Sequence, residues 1–346
     1  ISALDARVGY IQFTEFVNKA KFDPGGRWLL VNTDDKNLWQ IPADQWLTIR
    51  DGTLGVKALS FTELTAQMKV SPDAQWVVLS EDHEVGDSMA ILYNLETKVK
   101  HFLPHRSKIT GLAISPDSRF LATTNKDNSI VFIWNIERGE SVQTIPFEET
   151  AFASAYSPKD PILAIGLTGK TVLWNLASNS EIAVLAQAGE ITSLNFNAEG
   201  NWLATTSKDG GIAVWDMDKG DFTTPAYQFR QAGKITSIDF NSERQWLATA
   251  GEDGYIHLWD LNSGQEVIRI PHGETVSGLA FSPDGNLLST VSRKTIQFWD
   301  VSLLRLIAND ELVEAACARL FADLSNTRWN LILNQKTHRD LCPTLP

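Results

Sequence analysis

One pattern of about forty residues is written seven times along this chain, and that repetition constrains the fold more than any other property. Four copies are close: ITGLAISPDSRFLATTNKDNSIVFIWN (109–135), ITSLNFNAEGNWLATTSKDGGIAVWD (191–216), ITSIDFNSERQWLATAGEDGYIHLWD (235–260) and TVSGLAFSPDGNLLSTVSRKTIQFWD (275–300). Three are divergent: FVNKAKFDPGGRWLLVNTDDKNLWQI (16–41), LTAQMKVSPDAQWVVLSEDHEVGDSMAILYN (64–94) and AFASAYSPKDPILAIGLTGKTVLWN (151–175). Two landmarks count them. The apolar residue before the first turn is Phe22, Val70, Ile114, Tyr156, Phe196, Phe240 and Phe281, at spacings of 48, 44, 42, 40, 44 and 41. The aromatic that closes the third apolar run is Trp39, Tyr93, Trp134, Trp174, Trp215, Trp259 and Trp299. A unit this short cannot bury its own apolar sides and must stack on its neighbours.

Each unit reads as strands. ITSLNF and LATTS are short, apolar and β-branched, and turn residues bound them. The SPD and NAEG segments are turns, where Pro presets φ and Asp or Asn bonds its own backbone. In the KDG and EDG pairs, Gly210 and Gly254 supply the positive φ of a tight hairpin. The inner strands alternate little, as expected when both faces of a sheet are covered. Four strands per unit at this period predict a β-propeller blade, and seven units predict seven blades.

A propeller must hide its first and last edges. The seventh unit supplies three strands before the pattern changes at Ser302. The segment YIQFTEFVNKAKF (10–22) aligns with VQTIPFEETAFASAY (142–156), so residues 8–13 read as an outer strand expected to pair with 294–300. The expected fold is therefore all-β: a seven-bladed propeller over 1–305, closed by its N-terminal strand. Residues 306–346 read as a short helical tail. NDELVEAACARLFADL places Leu312, Ala316, Leu320 and Leu324 at helical spacing behind Asn309 or Asp310, and a second helix is expected from Ser325. The tail is expected to pack on the propeller through Leu312, Leu320 and Trp329.

Over about residues 5–305 the sequence resembles the WD-repeat family. The Trp-Asp pair survives at Trp215-Asp216, Trp259-Asp260 and Trp299-Asp300, becomes Trp-Asn at Trp134 and Trp174, Tyr-Asn at Tyr93 and Trp-Gln at Trp39. Family blades are often tied by a His, Ser/Thr, Asp and Trp hydrogen-bond network. Carried onto this sequence, its best version is His105, Thr124, Asp127 and Trp134. The seventh repeat keeps His272 with Arg293 where Asp is expected. The fifth and sixth keep Asp209 and Asp253 but place Gly189 and Gly233 near the His position, so the network is expected to be mostly degraded and apolar packing to carry blade cohesion. The tail, with Leu312 to Leu320, Leu324-Ser325, Trp329 and Cys342 to Pro346, is similar to the ending of many bacterial, especially cyanobacterial, WD-repeat proteins. These resemble signal-transducing ATPases with numerous domains, or carry a caspase-like effector upstream. That resemblance implies a sensor module of a larger signalling protein, with effector or ATPase domains earlier in the same polypeptide. The first residue is Ile1, consistent with a piece of something longer.

The net charge of −12 argues against nucleic acid as a partner, because phosphates need Lys and Arg to displace their counterions. No apolar run reaches membrane-span length and no signal-peptide pattern is visible. Two cysteines, Cys317 and Cys342, are too few for a disulfide-built secreted fold, so a cytoplasmic home is expected. Cys317, His338 and Cys342 read as reduced thiols packed in the tail, with a disulfide or a zinc site as alternatives. No nucleophile elbow, paired histidine ligands or phosphate loop is present, so no enzyme, no metal and no cofactor are expected. Pro104 lies between His101 and His105, which argues against a helical metal face there. The tryptophans at 28, 76, 202 and 246 read as packing residues, with a ligand-stacking ring as the alternative.

Charged residues precede each first strand: Glu15, Glu63, Lys108, Glu149, Glu190, Lys234 and Glu274. The hairpins expected on the same face carry Lys126, Lys208, Glu252, Arg293 and Lys294. Together they describe either a solvated rim or a polar face that recognises a protein partner on a rigid scaffold. The function expected is protein binding through that face. A hydrolase using the central channel and a scaffold with several partners are the alternatives.

Overall fold

A computed structural model describes residues 7–47, 56–60, 65–82, 88–126 and 129–302. The tail expected over 306–346 lies outside the described residues, with both cysteines and His338, as do Glu63, His83 and Asp127. Among the described residues the regular structure is antiparallel β-sheet with two single-turn 3-10 segments.

The sheets follow the repeats in order. The first joins Val17–Phe22, Trp28–Thr33, Asn37–Pro42 and Val56–Ser60; the second joins Thr65–Val70, Trp76–Asp82, Ser88–Asn94 and Lys100–His105. The third joins Ile109–Ile114, Phe120–Asn125, Ile130–Asn135 and Glu140–Pro146. The fourth and fifth repeats form one seven-stranded sheet, because the strand Ser180–Phe196 is both the outer strand of one and the inner strand of the next. The sixth joins Ile235–Asn241, Trp246–Gly251, Tyr255–Asp260 and Gln265–Pro271. The last joins Gly278–Phe281, Leu287–Ser292 and Thr295–Asp300 to a strand from the other end of the chain, Arg7–Gln12. That strand pairs antiparallel with Thr295–Asp300, with Ile11 opposite Ile296.

Local chemistry explains the repeated first turn. In three repeats a Ser hydroxyl donates to an Asp two residues on, Ser71 to Asp73 at 2.5 Å, Ser115 to Asp117 at 2.6 Å and Ser282 to Asp284 at 2.5 Å. The same hydroxyl accepts the backbone N–H that starts the second strand, at Trp76, Phe120 and Leu287, each at 2.9 Å. Backbone donors that would otherwise be stranded at the turn are thereby paired. The hairpin glycine Gly210 has φ of +83°, and a Cβ there would lie 2.1 Å from the Gln231 carbonyl oxygen, so both the backbone angle and the contact require Gly.

Apolar side chains pack between successive sheets. Met68, Val77 and Leu79 of the second sheet meet Leu30 and Leu38 of the first. Trp246, Leu258 and Ile270 of the sixth meet Leu288 and Trp299 of the last. A further cluster joins last to first, with Ile11, Phe298 and Val291 against Val17, Leu29 and Ile41. Inner strands contact one another in sequence, and Gly278–Phe281 contacts Val17–Phe22. Threonines stitch these inner strands: Thr110 donates to the Ala151 carbonyl at 2.6 Å and Thr236 to that of Val276. Repeated antiparallel sheets stacked face to face in this way fit a β-propeller.

One landmark moves. Trp39 sits opposite Val31, and it is Ile41 that lies opposite Leu29, the pairing equivalent to Trp215 opposite Leu203. The closing position of the first repeat is therefore Ile41, fully buried, and Trp39 stands two residues earlier on the same strand face.

Candidate functional site

Among the described residues, the charged positions singled out above gather at one end of the sheets, because the start of a first strand lies beside the end of the second. The backbone N–H of Lys126 donates to Lys108, that of Lys208 to Glu190, both at 2.9 Å, and that of Glu252 to Lys234 at 3.1 Å. Side chains then pair across the same gap. Lys208 meets Glu190 at 3.2 Å, Arg293 meets Glu274 at 3.6 Å, and the Lys234 N–H donates to a Glu252 carboxylate oxygen at 3.1 Å. Glu15 is exposed beside Thr14, whose carbonyl accepts from Lys294. Glu252, Glu274 and Arg293 share the wall of a cleft of about 560 Å3 between the sixth and seventh repeats.

Glu149 finds a partner that sequence reasoning missed. Lys170 reaches it at 2.8 Å, and that hydrogen bond holds the Lys170 ammonium above its ordinary range. The signal was present, since Lys170 occupies the hairpin of the fourth repeat as Lys208 occupies that of the fifth. The hairpins are also tied along the rim, where Thr150 donates to the Lys126 carbonyl at 2.9 Å.

Beneath this rim lies the tie between strands, and here one assignment needs correction. The Trp134 indole N–H donates to Thr123 at 2.9 Å, and His105 Nε2 lies 2.7 Å from the same hydroxyl. The network threonine is Thr123. Thr124, one residue later, points to the opposite side of the strand, where its hydroxyl meets that of Thr110 at 2.9 Å. The second His105 nitrogen faces the Leu103 carbonyl at 2.9 Å. Burial lowers the His105 pKa below its ordinary value of 6.5.

The expectation that the network is degraded in the fifth and sixth repeats is also corrected. Glutamine replaces histidine. Gln187 accepts from Thr205, which accepts the Trp215 indole N–H at 3.1 Å. Gln231 accepts from Thr249 at 2.9 Å and donates to Asp253 at 2.9 Å, while the Trp259 indole donates to Thr249 at 3.0 Å. In the seventh repeat His272 reaches Thr290 at 3.1 Å and Trp299 donates to the same hydroxyl at 2.9 Å. His105, Gln187, Gln231 and His272 stand four residues before Ile109, Ile191, Ile235 and Val276 in turn, and the first three of these open the pairing of the inner strand with the second strand. That count finds the glutamines where inspection of Gly189 and Gly233 does not.

One further histidine is held firmly. His257, 3% exposed, has Nε2 at 2.8 Å from Asp253 and Nδ1 at 2.6 Å from Glu266, and its ring stacks on Trp259 at 5.6 Å between centroids. Both nitrogens are occupied and the ring is covered, so this set clamps strands and has no free nitrogen to serve as a general base. The tryptophans at 76 and 246 are buried in the packing between sheets, and Trp202 packs against the cluster between the fifth and sixth repeats.

Comparison with known proteins meets this geometry. The family model described as WD domain, G-beta repeat, matches residues 96–135, 179–216, 224–260 and 265–300. Four of the seven repeats are thus similar to that family's repeat. Among curated relatives, the chain is 26% identical to Protein groucho of Drosophila melanogaster over 225 residues, which is 62% of this chain and 28% of that protein. It is 26% identical over 124 residues to the Periodic tryptophan protein 2 homolog of Schizosaccharomyces pombe, covering 35% of this chain and 14% of that one. It is 27% identical over 118 residues to Echinoderm microtubule-associated protein-like 2 of Mus musculus, covering 34% and 18%. The chain thus spans less than a third of the length of these relatives. No helix among the described residues is long and apolar enough to cross a membrane.

Proposed function

We propose that this chain is a closed seven-bladed propeller that works as a protein-interaction module, recognising its partner through the face formed by the leading loops and hairpins. The observation that carries this is the concentration of paired, solvent-reaching charges there on a scaffold whose strands are tied beneath them. Closure is supported by the pairing of Arg7–Gln12 with Thr295–Asp300 and by the apolar cluster joining the last sheet to the first. The partner-binding residues are Glu15, Glu63, Lys108, Lys126, Glu149, Glu190, Lys208, Lys234, Glu252, Glu274 and Arg293, to which Lys170 is added. The resemblance of the ending to those of bacterial multidomain proteins supports placing the module in a cytoplasmic signalling polypeptide. Capture of a partner there would shift an equilibrium in the effector domains.

The test is charge reversal of Lys126→Glu and Lys208→Glu together. Immobilised wild-type and reversed chains are compared for proteins captured from an extract of the source organism. A captured species should be lost from the reversed chain while its melting temperature stays put, because exposed pairs contribute only about 0–1 kcal/mol. An identical capture profile removes this face from the proposal.

A further inference from the structure

The inner strands of all the repeats line one cavity of about 470 Å3, and its charges run against the rest of the molecule. The chain as a whole carries −12. Yet this cavity contains Lys19 and Lys21 from the first repeat and Lys69 from the second, with Asp239 as the one acid among the described lining residues. The rest of the lining includes small or neutral residues, among them Gly111, Ser193 and Gly278.

The lysines are incompletely used. Lys19 donates to the Ser277 carbonyl at 2.6 Å and Lys21 to that of Leu279 at 3.1 Å, so both lean across onto the last sheet and each keeps two N–H groups in hand. Lys69 donates to no described residue. Asp239, whose oxygens accept from Asn195 at 3.1 Å and from the Phe281 N–H at 2.9 Å, favours the charged form of Lys69 but supplies one negative charge against three lysines. Burial, and then the neighbouring ammonium groups, push Lys19 and Lys69 down to about 8. Converging like charges in a half-enclosed space oppose folding, and such arrangements cluster at functional sites.

We propose that this axial cavity binds a small anion bearing phosphate groups, held by Lys19, Lys21 and Lys69 as point-charge donors. Three ammonium groups against one carboxylate suit a multiply charged anion, and lysine is a phosphate binder of this kind. The volume suits a small molecule. Ser193 stands on the cavity wall as a neutral hydroxyl donor.

Sodium pyrophosphate is the probe, added to the full chain at low salt and followed by calorimetry and thermal unfolding, with sulfate and citrate alongside. Pyrophosphate should raise the melting temperature and release heat with saturation, and sulfate and citrate should do so more weakly. Lys69→Met should melt higher than wild type without ligand, since a like charge is gone, and should bind pyrophosphate roughly tenfold more weakly or worse. Lys69→Gln provides the same reading if the Met variant does not fold. Absence of binding at millimolar pyrophosphate overturns the proposal. So does an undiminished response in the Lys69 variants, which places the anion elsewhere, or an equal response to citrate, which leaves charge without phosphate selectivity. None of these outcomes bears on the charged rim, whose test uses different residues.

Discussion

The third and seventh repeats tie their strands with histidine, and the fifth and sixth do the same work with glutamine. In each pair the side chain comes from four residues before Ile109, Ile191, Ile235 or Val276, and meets a threonine that also takes a tryptophan indole N–H. What matters at this position is a polar group of the right reach that can bond the hydroxyl. The two versions differ in one respect. Imidazole gains a proton at mildly acidic pH and an amide does not.

The strongest way to break the comparison is to remove the shared partner. Trp134→Ala in a histidine repeat and Trp259→Ala in a glutamine repeat should each lose about 3–5 kcal/mol in urea unfolding, since both rings are buried between sheets. A much larger loss in one repeat would show that the two ties are not equivalent. Next in size is the hydroxyl. Thr123→Val should cost about 1–3 kcal/mol, because it strands the Trp134 and His105 nitrogens in a buried place. Thr124→Val should cost less, because Thr110 keeps its bond to Ala151. Equal losses would return Thr124 to the network.

The smallest effect is the most specific. Burial lowers His105 and His272 below 6.5 in the folded chain, with Arg7 also lowering His272 and Glu274 opposing. Between the folded and unfolded values the unfolded chain binds more protons, so stability rises with pH there. The contribution is complete above about 6.5 and is lost as pH falls through the folded values. His105→Gln combined with His272→Gln should therefore flatten the decline in urea midpoint below that pH and leave the midpoint near pH 8 little changed. A decline as steep as that of wild type would mean that other groups set it.

Much of this was legible in the sequence. The spacing of Phe22 through Phe281 located every inner strand, because an apolar residue before a turn is required in each copy. Alignment of 10–22 with 142–156 located the strand that pairs with Thr295–Asp300. Three things were hidden. Gln187 and Gln231 were missed because a family pattern names a residue type where geometry asks only for a hydrogen-bonding group. Thr123 and Thr124 are alike in sequence and opposite in space, so sequence alone does not tell which one meets Trp134. Trp39 carries the aromatic signature in the sequence, whereas the pairing register, set by the turn that precedes the strand, puts Ile41 at the closing position. The cavity lysines were invisible for another reason: Lys19, Lys21 and Lys69 look like ordinary solvated charges until their strands are brought together.

The pairing of Arg7–Gln12 with Thr295–Asp300 has a consequence for the chain as it is made. The side chains of Gln12 and Thr295 share a hydrogen bond at 2.9 Å across a sequence separation of 283 residues. At about 5–20 residues per second, a ribosome needs roughly 15–60 s between them. Throughout that interval the earliest strand has nothing to lie against, and the growing stack presents a bare edge at its leading side. The hazard is one of timing: anything that lengthens the wait, such as a translational pause in the last repeat, gives a neighbouring nascent chain longer to fill the gap.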